Sequence, residues 1–203
     1  VLHIDRTIQY ILDQELKKGV EKYGAQGGMA AVMNPKTGGI LAMSAFPSFD
    51  PSTYNEYTDD LYKNPFISNT YEPGSTFKPF IMAAGIESGV VKPDTRCTDC
   101  DGPVEIGEYE IKTWNNQYRP NLTMTDVIQY SDNTGMVFVA RKLGLERMMT
   151  YFDKFGIGDM TGIDLQGEVE PFIRPKENWY PIDLATASFG QGVAVTPIQM
   201  TAA

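Results

Sequence analysis

Apolar residues recur every three to four positions over the first helix-length stretch of the chain. Ile8, Ile11, Leu12, Leu16 and Val20 fall on one stripe, and Gln9, Asp13, Lys17, Lys18 and Glu21 fall opposite. This 3.6-residue period predicts an amphipathic helix over 6–22, after an extended start over 1–4. Asp5 stands at its N-cap position, and Gly24 to Gly28 end the pattern. Two short apolar runs, 29–33 and 40–45, flank Asn34-Pro35-Lys36-Thr37-Gly38-Gly39, which predicts an antiparallel hairpin around a tight turn. Between 47 and 69 the pattern gives way to Ser, Asp, Asn, Tyr and Pro, a surface excursion with one short helix.

The apolar positions then thicken. Glu72-Pro73-Gly74 is a turn, and 75–87 carries Phe77, Phe80, Ile81, Met82, Ala83, Ala84 and Ile86, enough for a buried helix closed by Ser88-Gly89. Residues 91–120 are broken by Pro and Gly, with 104–106 and 109–111 as a small hairpin around Gly107. Thr123 and Asp126 have capping-box spacing and open a helix to about Tyr130, where Ser131-Asp132-Asn133 interrupts it. Further helices are expected over 134–143 and 146–155, and Thr196-Pro197 opens a last one. Strands at one end and a helix-rich insert predict an α+β (mixed α/β) fold with two lobes. The expected parts are an N-terminal helix and hairpin of a sheet lobe (1–46), a mainly helical lobe (47–181), and a return toward the sheet lobe (182–203).

Composition narrows the function. The 203 residues are 42% hydrophobic and 21% charged, an ordinary globular balance. No run of about 18 apolar residues is present, so no membrane span is expected. A net charge of −9 argues against a nucleic-acid-binding surface, which needs clustered cations. The one histidine, His3, is expected to be an N-terminal strand residue. Unless it reaches a distant site, Ser-His-Asp and Cys-His catalysis are excluded, and so is a His-rich metal centre. An acyl transferase or hydrolase built from this chain needs a lysine or a carboxylate as base. Cys97 and Cys100 lie among Pro, Asp and Gly. Two thiolates fall short of the four that structural zinc takes, so a loop-closing disulfide in an oxidising compartment or two free thiols is favoured over a redox or metal role.

Gly74-Ser75-Thr76-Phe77-Lys78-Pro79 offers such a base. If a helix starts at Ser75, Lys78 lies one turn on and the amine can meet the hydroxyl. The helix N-terminus favours negative charge developing there, and burial can lower the lysine pKa toward neutrality. Ser-x-x-Lys also arises by chance. A second signal is Ser131-Asp132-Asn133, at a break between helices. Ser131 could relay a proton and Asn133 could hold an amide; the bland alternative is that the triplet only caps the next helix.

Together, in this order, the motifs resemble those of the penicillin-binding protein and serine β-lactamase superfamily. Tyr71-Glu72-Pro73-Gly74-Ser75-Thr76-Phe77-Lys78-Pro79-Phe80 is similar to the active-serine segment of class B penicillin-binding proteins. Met33-Asn34-Pro35-Lys36-Thr37-Gly38-Gly39 resembles their early hairpin, and Phe155-Gly156-Ile157-Gly158 with Thr161-Gly162-Ile163-Asp164-Leu165 resembles the region after their SxN motif. Phe189-Gly190-Gln191-Gly192 with Val195-Thr196-Pro197-Ile198-Gln199 also matches. The similarity runs over essentially the whole chain.

The resemblance implies an antiparallel sheet flanked by helices, plus a helix-rich lobe, and a peptidoglycan D,D-transpeptidase. Ser75 would be the nucleophile, Lys78 the general base, Ser131 the relay to the departing D-alanine and Asn133 the holder of the donor-peptide amide. β-Lactams would acylate the same serine, and no metal or organic cofactor is implied. Implied partners are peptidoglycan stem peptides, a polymerising glycosyltransferase and division or elongation proteins. The implied location is the extracytoplasmic face of the bacterial cytoplasmic membrane, held through an N-terminal anchor. The family's third motif is Lys-Thr-Gly after the SxN motif. Lys36-Thr37-Gly38 precedes Ser75 and is assigned to the hairpin turn instead, so the third motif is expected beyond Ala203, leaving the fold incomplete at the C-terminus and this span alone inactive. The alternatives are a β-lactamase or β-lactam-sensor relative, and a non-catalytic cell-wall scaffold.

Overall fold

The computed structural model describes residues 2–203, so the extended start expected at Val1 lies outside the described residues. In chain order the elements are α1 (Arg6–Tyr23), β1 (Gly28–Met33), β2 (Ile40–Phe46), α2 (Pro65–Ser68), α3 (Lys78–Glu87), β3 (Val104–Ile106), β4 (Tyr109–Ile111), α4 (Met124–Gln129), α5 (Asn133–Leu143), α6 (Leu145–Phe155), α7 (Pro181–Ala187) and α8 (Pro197–Ala202). Short 3-10 turns lie at Pro51–Glu56, Asp59–Tyr62, Gly74–Phe77 and Lys176–Asn178. Helices with small antiparallel sheets make this an α+β fold. No helix among the described residues is long and apolar enough to cross a membrane.

The chain forms two compact units. The first runs through Asn69 and adds Thr161–Val169 and Thr196–Ala202. Asp5 caps α1 as expected, its Oδ1 accepting from Thr7 N (2.9 Å) and Ile8 N (3.0 Å). The apolar stripe of α1 is less buried than its period suggested: only Val20 is buried, and Ile11 is 54% exposed. Gln9, on the predicted polar face, does the fastening. Its side-chain amide donates to Met43 O (3.0 Å) and accepts from Met43 N (2.9 Å), pairing with β2 as a neighbouring strand would. β1 and β2 form the expected antiparallel hairpin, with Gly28 opposite Phe46 and an irregularity at Val32/Met33. Lys36, Thr37 and Gly38 make the turn: Lys36 N donates to Asn34 Oδ1 (2.9 Å), and Gly38 N to Asn34 O (2.9 Å).

Residues 47–69, expected in the helical lobe, belong with the hairpin. Phe66 and Ile67 are buried with Ile198 against Ala31, Met33, Ile40 and Met43. The polar composition around them hid two core residues on a single turn of helix, which Asn64 caps by accepting from Phe66 N (3.1 Å). α8 is capped reciprocally: Thr196 N donates to Gln199 Oε1 (2.8 Å), and Gln199 N to Thr196 Oγ1 (3.3 Å).

The second unit, Thr70–Met160 with Glu170–Val195, is built around α5. Thr134, Gly135, Met136, Val137, Phe138, Val139 and Ala140 are all buried, as in a helix surrounded on every side. α3, α4, α6 and α7 pack on it. Gly135 lets α4 approach, since a Cβ there would lie 2.7 Å from Val127 Cγ1. Phe77 and Phe152 meet edge to face at 5.5 Å, as do Phe80 and Phe155 at 5.2 Å. β3 and β4 form the small hairpin expected around Gly107. Cys97 and Cys100 are joined as a disulfide. Of the stretch 182–203, expected to return toward the sheet lobe, α7 stays in this unit, burying Ala185 and Ala187 and packing on α5, whereas Thr196–Ala202 belongs with the hairpin. The signal for α7 was Pro181 at the first position and Asp183, whose carboxylate accepts from Tyr180 N (2.8 Å).

Candidate active site

The segment bearing Ser75 is fastened before any helix begins. Tyr71 exchanges backbone hydrogen bonds with Val195 (2.9 and 3.1 Å). Glu72 Oε1 accepts from Gly192 N (2.7 Å), and Gly74 N donates to Gly190 O (2.9 Å). Gly190 has φ of 76° and touches this segment with its α-carbon face; a Cβ there would lie 2.7 Å from Gly74 N and 2.8 Å from Phe77 Cβ. Only glycine meets both conditions.

The α-helix expected from Ser75 starts instead at Lys78. Pro79 explains the difference. It has no N–H to give to Ser75 O, and its ring would clash with that carbonyl in α geometry. The chain takes a 3-10 turn over Gly74–Phe77, and Lys78 N donates to Ser75 O. Side chains at i and i+3 eclipse in a 3-10 turn, so Ser75 and Lys78 still share a face. Ser75 is exposed, while Lys78 is buried at 2% exposure.

Ser131 occupies an unusual backbone position. Asp132 N donates to Val127 O (2.9 Å) and Ser131 N to Ile128 O (3.2 Å). This is a Schellman C-cap of α4, with Ser131 at the left-handed position that glycine usually fills. Its φ is 54°. An L-residue there costs about 1–2 kcal/mol, and such outliers concentrate at functional sites. The next residue, Asp132, is the N-cap of α5, its Oδ1 accepting from Gly135 N (2.9 Å) and Thr134 Oγ1 (2.7 Å). One helix cap thus runs directly into the next, and the turn projects Ser131 and Asn133 side by side.

The structure brings all four candidate residues together. Lys78 Nζ donates to Ser131 O (2.7 Å), Ser131 Oγ (3.0 Å) and Asn133 Oδ1 (2.8 Å). An ammonium has three donors, and all three are used, so the direct Ser75–Lys78 hydrogen bond suggested by the motif spacing is replaced by a bridge. Ser131 Oγ donates to Ser75 Oγ at 2.9 Å. Burial pulls the Lys78 pKa down from 10.5 to about 8, with the Asp132 carboxylate opposing the shift. Asn133 Nδ2 donates to Lys112 O (2.9 Å); its amide keeps one further donor and one further acceptor. His3 lies in the other unit, exposed beside Gly39.

Sequence reasoning missed four contributors: Glu72, Lys112, Asp132 and Gly190. Asp132 was visible as a good cap inside the triplet, and Gly190 as part of the Phe-Gly-Gln-Gly run. The Lys112 carbonyl is a backbone contact that no side-chain pattern announces. No group of three or more His, Cys, Asp or Glu suited to a metal ion occurs among the described residues.

Residues 28–203 match the penicillin binding protein transpeptidase domain, and the chain belongs to that family. It is 40% identical over 203 residues to Stage V sporulation protein D of Bacillus subtilis, spanning all of this chain and 31% of that protein. It is 32% identical over 199 residues to the peptidoglycan D,D-transpeptidase FtsI of Escherichia coli K12, covering 98% of this chain and 33% of that protein. Among solved structures, the transpeptidase domain of penicillin-binding protein 3 from Burkholderia pseudomallei superposes with a TM-score of 0.86 at 30% identity, covering 98% of this chain and 55% of that one. The chain therefore spans about a third of the length of these curated relatives.

Proposed function

We propose that the full-length protein is a serine-type peptidoglycan D,D-transpeptidase. The observation that carries this reading is the chain of contacts from an exposed Ser75 hydroxyl through Ser131 to a buried Lys78. With Lys78 neutral, the hydrogen bonds reverse: Ser75 donates to Ser131 Oγ, and Ser131 to Lys78 Nζ. As Ser75 Oγ bonds to the carbonyl carbon between two terminal D-alanines, its proton arrives on Lys78 through Ser131. That proton passes to the D-alanine nitrogen as the C–N bond breaks, leaving an acyl-enzyme. The amine of a second stem peptide then attacks the acyl carbon, and Ser75 recovers its proton. The free donor and acceptor of Asn133 would align the donor-peptide amide.

β-Lactams would enter by the same step and stop at the acyl-enzyme. Such a reaction belongs in the cell envelope, on the extracytoplasmic face of the membrane. A polymerising glycosyltransferase and division or elongation proteins are the corresponding partners. Incubating the full-length protein with a fluorescent penicillin tests the reading. Durable labelling that vanishes in Ser75→Ala is expected. Rapid loss of label would mark a β-lactamase, and absence of label a scaffold.

A further inference from the structure

Asp132 touches neither Ser75 nor Lys78 by any hydrogen bond, yet it is buried at 2% exposure and sits between the two residues that hold the Lys78 amine. Its carboxylate is committed through Oδ1 to Gly135 N and Thr134 Oγ1. For capping alone a neutral Asn or Ser would serve as well. A carboxylate buried without a cation in direct contact is a costly choice, so its charge calls for an explanation.

We propose that Asp132 is a positioning residue with two separable roles: its cap shapes the turn that offers three oxygens to Lys78, and its buried charge holds the proton on Lys78 until the pH allows Ser75 to react. This rests on the reading of Lys78 as the base. Lys78 is flanked by opposing influences, with burial favouring its neutral form and Asp132 its charged form. The elements packed on α3 carry other titratable groups. They are Asp126 on α4, Arg141 and Lys142 in the last turn of α5, and Glu146, Arg147, Tyr151, Asp153 and Lys154 on α6. Asp126 is held in the Thr123 cap, and Glu146 pairs with Lys176. Asp132, next in sequence to Ser131, whose carbonyl holds the amine, is the charge that opposes burial at Lys78. A base kept charged at rest and released by a modest rise in pH would make acylation steeply pH-dependent around pH 8.

The test measures acylation of the full-length protein by a fluorescent penicillin from pH 5 to 9. Asp132→Asn and Asp132→Ser keep a capping side chain and remove the charge; Asp132→Glu keeps the charge and strains the cap. Both neutral variants should move the acid limb to lower pH. Below the wild-type midpoint their rates, each relative to its own plateau, should exceed wild type on the order of tenfold. Asp132→Glu should lower the plateau and leave the limb in place. An unshifted limb in the neutral variants, a shifted limb in Asp132→Glu, or loss of the fold in both neutral variants would overturn the proposal. Absence of labelling in wild type would instead overturn the transpeptidase reading itself.

Discussion

The backbone of Ser131 and its hydroxyl can be separated by substitution. The left-handed φ of 54° penalises any L-residue at this C-cap, whereas the Oγ bridges Lys78 and Ser75. Ser131→Ala removes the bridge and keeps the penalty; Ser131→Gly removes both. The glycine variant should therefore be more stable than the alanine variant by about 1 kcal/mol. Acylation in both should fall by about 10²–10⁴, the usual worth of a positioned proton carrier. Chemical denaturation and penicillin-labelling rates measure the two effects independently. Equal stabilities would contradict the strain argument, and near-normal labelling would contradict the relay. At this scale the sequence was informative about which residues come together and less so about how they connect. Ser75, Lys78, Ser131 and Asn133 were all legible as motifs. The interposition of Ser131 was not, because spacing along one helix cannot report which of two hydroxyls a lysine will reach once the oxygens of a distant turn compete for its three donors.

Two segments meet at Gly190, and the consequences are those of elements. Residues 189–195 grip 71–74 through three backbone bridges and the Glu72 carboxylate. Gly190→Ala would place a methyl against Gly74 and Phe77, with φ of 76° disfavouring the change even without the clash. The 3-10 turn that carries Ser75 must then shift. Acylation should fall by about 10² for a displacement near 1 Å, with a stability loss of about 1–3 kcal/mol from overpacking. A labelling rate close to wild type in a folded Gly190→Ala protein would show that the turn is held from elsewhere. Local signals served well where a cap or a period decides the outcome: α1 behind Asp5, the β1–β2 turn, and the Thr123 capping box all stand where the residues indicated. They served poorly where a distant partner decides. Gln9 reads as a solvent-facing helix residue until β2 is beside it, and 66–67 read as part of a surface excursion until Ile198 supplies a core. Pro79 was legible as a helix-start residue, but its effect on Ser75 O moves the start of the α-helix three residues later.

For the whole molecule, one buried amine leaves a mark on folding itself. The two units are interleaved along the sequence; a late return of the chain to the hairpin unit was expected and Thr196–Ala202 makes it, whereas Thr161–Val169 joins that unit through tertiary contacts that no local pattern announces. The cost of burying Lys78, by contrast, follows from chemistry alone. Its pKa is about 8 in the folded protein against 10.5 when exposed. Below pH 8 both states carry the proton, and the full penalty of a desolvated ammonium weighs on the folded one. Between 8 and 10.5 the unfolded chain holds a proton that the folded chain has released, so the contribution of this group to stability rises with pH. Above 10.5 both are neutral and the contribution is level. The gap corresponds to an effect on the order of 3 kcal/mol. Lys18 and Lys112, whose partners Glu15 and Glu110 raise their pKa values, titrate in the alkaline range too, so the comparison must be differential. Subtracting the unfolding free energy of Lys78→Met from that of wild type, pH by pH, cancels them. The difference should be flat to about pH 8, climb toward 10.5 in favour of wild type, and then level off. A difference flat across that window would mean that Lys78 keeps an ordinary pKa, and an ammonium so held could not take the proton of Ser75 near neutrality.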